Sequence, residues 1–475
     1  MEGSKIVKLV LAVIVVLLGG YFVSMLDVFK SEPMKMETFL YINPTTSVPI
    51  ADKVAWNPER RIALEVESSK KIKSYKIKAT TEGNVVILEK EETIINRPES
   101  LKIWLPKPDI DLPNGSKIRY EIAVSDWSNA NFFSGATFTK TIDFVINTKA
   151  PNIEILAHSY AISYGGSALV VFSVDSIGIK EITISNGTNT FIPFSFIKDG
   201  YYAAIVAWPI ANQSFICRIQ ATDTAFNTQR ATIPFIKNTS PRYLDSTITL
   251  QEDFLAQKMD SLIAEVREIY PDSEFEEFNT NFEKFVYINE QIRLKDEETI
   301  TNALQEYDKH YASTFSSPTS WKKFVPLKGY AVVGRFGDKR TYVNDKGQTS
   351  QSIHLGLDIA SVKNDNILAP NSGKIIMERK LGVYGNTAIL YHGFGLASLY
   401  AHLDSFVAPQ DGVLDMGDVV GISGQSGWAF GDHVHFGMLV QGQNVRNTEW
   451  LDERWIKNNI TDIFENAKRA IESKE

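Results

Sequence analysis

His354-Leu355-Gly356-Leu357-Asp358 and, about eighty residues later, His433-Val434-His435 are the stretches that decide how this chain is read. Of seven histidines in 475 residues, His354, His402, His433 and His435 crowd into this C-terminal stretch. Two imidazoles and one carboxylate, with a fourth position left to water, make the usual ligand count of a hydrolytic zinc centre. In a strand, the side chains of His433 and His435 share one face, with Cα atoms about 7 Å apart. His354 and Asp358 on a straight strand would lie roughly 13 Å apart, too far to meet on one ion, so the chain must bend. Gly356, which has no Cβ, permits that bend.

The surrounding text is ordered in the same sense. Gly334-Arg335-Phe336-Gly337-Asp338-Lys339-Arg340 precedes the first histidine, and Ala369-Pro370-Asn371-Ser372-Gly373 follows it. Then come Tyr384-Gly385-Asn386, His392-Gly393, Ser398-Leu399-Tyr400-Ala401-His402-Leu403, Gly424-Gln425-Ser426-Gly427 and Gly431-Asp432-His433-Val434-His435-Phe436. From about Phe324 to Trp450 this resembles the M23 (lysostaphin/LytM-type) zinc metallopeptidases. The resemblance implies His354, Asp358 and His435 as ligands of one Zn2+, His402 and His433 as catalytic bases, and Tyr384, Asn386 and Ser426 as substrate-binding residues. It also implies an antiparallel β core with a groove over the metal, and cleavage of peptide cross-links in peptidoglycan. The alternatives are a non-catalytic M23-like regulator of another wall hydrolase, and a peptidoglycan carboxypeptidase. Relatives with glycyl-glycine specificity carry a tyrosine just before the first ligand. Gln348–Ser352 has none.

At this length more than one core is required. Composition is that of folded protein, 44% hydrophobic and 22% charged, and the net charge of −8 argues against a nucleic-acid partner. A single cysteine, Cys217, excludes an intramolecular disulfide. Leu9 to Leu26 is uncharged and long enough for a transmembrane helix, and Lys5 and Lys8 precede it. The expectation is a single-pass anchor in the bacterial inner membrane with the enzyme in the periplasm.

Between anchor and enzyme, short apolar runs punctuated by Gly, Asn, Asp and Pro read as β-structure. Asp126-Trp127-Ser128-Asn129 leading to Asn147 and Pro151 is repeated about ninety residues on as Asp223-Thr224-Ala225-Phe226-Asn227 leading to Asn238 and Pro241. The turn resembles bacterial Ig-like modules, implying two β-sandwiches that act as spacers or dock an envelope partner. Ser246 to Tyr311 turns helical, with Phe254, Leu255, Met259, Leu262, Ile263, Val266 and Ile269 at helical spacing before Pro271, and a second helix over Asp296–Tyr311. Between Pro241 and Ser320 seventeen Asp/Glu face seven Lys/Arg, so the acidity of the chain is local. Such a segment is either a spacer with a solvated face or a restraint on the groove.

The expected architecture is therefore a mainly β multidomain protein. Residues 1–30 form the cytoplasmic tip and transmembrane helix, and 31–148 and 149–240 the two β-sandwich modules. An acidic helical segment occupies 241–320, the β-rich metallopeptidase domain 321–450, and a C-terminal helix 451–475.

Overall fold

A computed structural model describes residues 9–17, 19, 32–273, 277–311 and 319–474. Leu9–Leu17 and Gly19 are helical, while the remainder of the expected anchor, with Lys5 and Lys8, lies outside the described residues. Among the described residues no helix is long and apolar enough to cross a membrane. The chain divides into two units: residues 1–151 with Ser176–Glu181 and Thr222–Gln229, and the remaining segments.

In the first unit, strands Lys35–Tyr41, Ser47–Pro49, Ile62–Glu67 and Ser100–Trp104 make one sheet. Lys53–Trp56, Ile72–Thr81, Val86–Thr93, Lys117–Asp126 and Thr137–Ile146 make another. The alternating strand Lys117–Asp126 turns Ile118, Tyr120, Ile122 and Val124 into a core shared with Leu40, Leu64 and Val66 of the first sheet. The repeated aspartates have a local cause. Asp126 accepts from the backbone N–H groups of Ser128 and Ala136, and Asp223 from those of Ala225 and Asn227, each carboxylate folding its own turn.

The second unit holds the sheet that carries the site. We label its elements β1 (Ala331–Gly334), β2 (Lys339–Val343), β3 (Thr349–Ile353), β4 (Leu357–Ala360), β5 (Gly373–Leu381), β6 (Gly385–Gly393), β7 (Leu396–Leu403), β8 (Val413–Leu414), β9 (Val434–Val440) and β10 (Gln443–Val445). The main sheet runs β1-β4-β9-β7-β6-β5-β8, with β10 paired to β9. β2 and β3 form a hairpin, and Asp245–Thr249 joins β2 in parallel. Every residue of β7 and β9 is buried, because both faces of the sheet are covered.

One cover is the helical segment: α1 (Glu252–Ile269), α2 (Asn281–Tyr287) and α3 (Arg293–Tyr311), with a π turn over Ile288–Ile292 between the last two. Leu255, Met259, Leu262, Val266, Phe285, Ile292 and Leu304 share one core with Tyr384, Ile389, Ala401, Trp428 and Leu439 of the sheet and its loops. The segment is thus packed as a wall against that sheet. The sequence reading missed α2, yet its signal was present: the Thr280 hydroxyl accepts from the Glu283 N–H, and the Glu283 carboxylate reaches back to the Asn279 N–H. At the C-terminus, the helix Asp462–Glu472 buries Ile463, Phe464, Ala467 and Ile471.

Candidate active site

Residue pairing across β4, β9 and β7 assembles the site. Asp358 lies directly opposite His435, and His435 directly opposite Ala401, next to His402. Opposed residues in antiparallel strands point to the same face. His435 and Leu439 lie on one face of β9, so the site opens on the helix-covered side of the sheet. His354 precedes β4 in a turn, where its Nε2 meets both Asp358 Oδ1 and His435 Nδ1 at 2.9 Å. His435 Nδ1 and Asp358 Oδ1 are also 2.9 Å apart, which closes a triangle of three buried donor atoms.

Whether these residues fit zinc can be tested on their geometry. A tetrahedral ion with bonds of about 2.0–2.1 Å sets neighbouring donors about 3.3 Å apart, so small outward movements suffice. His354 Nδ1 lies 2.8 Å from the Arg335 carbonyl. A carbonyl only accepts, so that nitrogen carries the proton and Nε2 presents its lone pair to the triangle. Burial pushes His435 down to about 4, and its neighbours His354 and His433 add to the effect. Burial alone would raise Asp358; the neighbouring His354 and His435 outweigh it and hold the carboxyl well below its usual range. A divalent metal requires neutral imidazole and ionised carboxylate ligands, and the lowered His435 and Asp358 agree with that requirement.

The chain bends at Gly356, as expected. Its φ is not in the left-handed region; what it provides is room, because a Cβ there would stand 2.4 Å from His435 Nε2.

His402 and His433 stand beside the triangle, their rings 4.8 Å apart, with His433 Nε2 3.8 Å from Asp358 Oδ1. Each is oriented in the same way. His402 Nδ1 donates to the Ser426 carbonyl and His433 Nδ1 to the Gly431 carbonyl, both at 2.8 Å, leaving both Nε2 atoms as acceptors. Burial, followed by the neighbouring His433 and His435, pushes His402 well below the usual imidazole range. Its φ of 62° lies in the left-handed region, an outlier held by hydrogen bonds at both ring and backbone.

These residues line a cavity of about 530 Å3. Tyr384 lines it too, packing edge-on to His435 at 5.3 Å. Asn386 and Ser426 do not reach it. The Ser426 hydroxyl donates to the Leu403 carbonyl and accepts from the Asn386 N–H, and the Asn386 amide donates to the Leu403 and Asp404 carbonyls. Their polar groups staple loops together, and Ser426 serves the site through its carbonyl. The fifth histidine of the domain, His392, is fully buried between the Ser372 carbonyl and the Ser398 hydroxyl, away from the cavity.

Sequence reasoning assigned no role to Arg340, although it lies in a quoted motif. Its Nη2 binds the outer oxygen of Asp358 at 3.1 Å and its Nε binds Asp338 at 3.3 Å. Gly334 is needed beside it, since a Cβ would sit 2.3 Å from Asp358 Oδ2. Nor did the sequence reveal that Lys258 of α1 donates to the Gln425 and Ala429 carbonyls, or that Phe254 stacks on Phe430 at 4.9 Å. Both hold the loop that delivers His433.

Three convergent metal-ligating groups with two acceptor imidazoles alongside define a metal-dependent hydrolase type of site. Residues 352–447 match a family model described as peptidase family M23. Over 93 residues the chain is 34% identical to the DD-carboxypeptidase/endopeptidase Mpg of Neisseria meningitidis serogroup B, covering 20% of this chain and 21% of that protein. Over 92 residues it is 27% identical to the peptidoglycan DD-endopeptidase ShyA of Vibrio cholerae, covering 19% and 21% respectively. The crystal structure of a putative peptidase M23 from Pseudomonas aeruginosa aligns with 61% of this chain and 95% of its own, at 17% identity and a TM-score of 0.34. The chain spans about a fifth of the length of the curated relatives it matches.

Proposed function

We propose that this protein is a zinc-dependent endopeptidase that hydrolyses the peptide cross-links of peptidoglycan. The observation that carries the reading is the triangle of His354, Asp358 and His435 with two imidazoles beside it whose Nε2 atoms are free to accept. His354, Asp358 and His435 would hold a zinc ion, which when bound would lower the pKa of a water to about 7 and polarise a carbonyl. His402 or His433 accepts a proton at Nε2 as water adds to the scissile carbonyl. The resulting imidazolium returns that proton to the leaving nitrogen as the C–N bond breaks. The Ser426 and Gly431 carbonyls keep both rings in the tautomer this requires, and Arg340 orients Asp358 through its outer oxygen.

The substrate class is supported by the activities in the names of Mpg and ShyA. A carboxypeptidase acting on the same stem peptides is the second reading, favoured by the double activity in the name of Mpg. Placement in the periplasm on a single-pass anchor is part of the proposal and rests on Lys5, Lys8 and the apolar run Leu9–Leu26. The test is digestion of isolated sacculi by the zinc-loaded protein, with chromatography of the released muropeptides. Loss of cross-linked dimers supports endopeptidase action and loss of terminal D-Ala alone supports carboxypeptidase action. No release at full zinc occupancy refutes both.

A further inference from the structure

The cavity wall contributed by the helical segment carries one cation that the chemistry above does not use. Arg293 opens α3 and lines the same cavity as His354, Asp358, His402 and His435. Among the described residues its hydrogen bonds all go to Asn289: Nη2 to Oδ1 at 2.7 Å, Nε to Oδ1 at 3.3 Å, and Nε to the backbone carbonyl at 3.2 Å. Asn289 is 2% exposed and is itself oriented, because its amide donates to the Ser350 hydroxyl at 2.9 Å and the Gln351 carbonyl at 3.1 Å. Ser350 and Gln351 belong to β3, the strand that runs into His354. A buried neutral amide therefore holds the guanidinium in place, braced against the strand that delivers a metal ligand. The π turn just before Arg293, a feature that recurs at functional sites, sets its position on the wall.

The other charged groups named here have hydrogen-bond partners. Arg340, the second guanidinium of the cavity, is taken up by Asp338 and Asp358. Asp432 accepts from the Ser423 hydroxyl and the Asn364 N–H. Arg293 makes no ion pair among the described residues. Glu297, one turn further along α3, is pushed up to about 7 by burial, with the Arg293 charge opposing the rise. A preoriented guanidinium with unused N–H donors and no paired carboxylate is suited to a planar anion. A cavity of about 530 Å3 is of the size that holds a drug-sized ligand, so a group reaching Arg293 lies within a residue or two of the scissile bond.

We propose that Arg293 is a specificity residue that binds a free carboxylate of the peptide substrate close to the bond being cleaved. The inference rests on the peptidase reading of the site and names the substrate feature it selects: an acidic peptide whose carboxylate is not amidated.

The test uses two probes, a purified cross-linked muropeptide dimer with a free carboxylate on the residue bearing the cross-linking nitrogen, and the same dimer amidated there. Affinity is measured by calorimetry on the full-length zinc-loaded protein carrying His402→Ala, so that neither probe is consumed. The free acid should bind about tenfold tighter than the amide, the size expected of one charge-assisted hydrogen-bonded pair. Adding Arg293→Gln should erase that preference by weakening only the acid, and Arg293→Lys should restore part of it. A preference that survives Arg293→Gln, equal weakening of both probes, or no preference at the start (failure to bind either probe included) overturns the proposal. Turnover of the two dimers by protein with His402 intact is a separate readout: if neither is cleaved while the Arg293-dependent preference holds, the endopeptidase reading fails and the carboxylate site stands.

Discussion

Replacing Asp296 by alanine tests whether the helical segment is part of the catalytic apparatus. The Asp296 carboxylate, buried on α3, accepts from the backbone N–H groups of Gly382 at 2.9 Å and Val383 at 2.6 Å, more weakly from Tyr384 at 3.4 Å, and from the Tyr270 hydroxyl at 2.6 Å. The turn it holds supports the site twice over: the Tyr384 carbonyl accepts from the His402 N–H and the Val383 carbonyl from the Trp428 N–H, both at 2.8 Å. Hydrogen bonds to a charged group contribute about 1.5–3 kcal/mol each, and alanine leaves buried donors unmet. Burial raises the pKa of Asp296 despite those donors, so desolvation offsets part of the gain. The expected net loss of local stability is ~2–4 kcal/mol, equivalent to roughly 30- to 1,000-fold faster amide exchange at Gly382–Tyr384. Hydrogen exchange on the zinc-loaded protein reads this directly. The turnover rate should fall with it as His402 loses its backbone anchor, while zinc content, set by other residues, persists. Wild-type protection of those three amides in Asp296→Ala would refute the account.

Three further outcomes are expected. His435→Ala should lose zinc together with activity, whereas His402→Ala should keep zinc and lose about a hundredfold or more in turnover; equal zinc content in both variants contradicts the division of roles. Gly356→Ala places a methyl group against His435 Nε2, and competition with a chelator should show zinc affinity reduced about 10–100-fold, as for other changes that misorient a ligand. Glu449, which accepts from the Ser167 N–H at 3.2 Å, is pushed up to about 7 by burial. A raised folded value means its stabilisation is present below about 4.5 and lost as pH rises through 7, worth ~3 kcal/mol. Melting temperature should therefore fall between pH 5 and 8, and Glu449→Gln should flatten part of that slope; an unchanged slope excludes Glu449 as its source.

Local signals in the chain were legible where the physics is local. The spacing of Phe254 to Ile269 and the break at Pro271 marked α1, the repeated aspartates marked turns that their own carboxylates build, and Thr280 with Glu283 held an unread helix start. The candidate site was legible through resemblance: the order of the motifs around His354, Asp358, His402, His433 and His435 singled those residues out, and the fold brings them to one cavity. Asn386 and Ser426 were read as substrate contacts because polar residues in glycine-rich turns look alike, whether they face a ligand or a backbone carbonyl.

What the sequence by itself determined is thus the set of reactive groups, the β-rich class of their domain and the amphipathic faces of the helices. Only the tertiary structure decided which groups meet. Asp358 faces His435 because β4 and β9 are neighbours in the sheet, a pairing across almost eighty residues that no local periodicity encodes. Arg293 reaches the cavity, and Asp296 and Lys258 brace its loops, from a segment that the sequence left as either a spacer or a restraint, because its apolar faces find their burial on the sheet beside His435. Side-chain period and caps are written over a few residues, whereas cleft walls are made by elements far apart in the chain, and their partners are chosen by the shared core they bury.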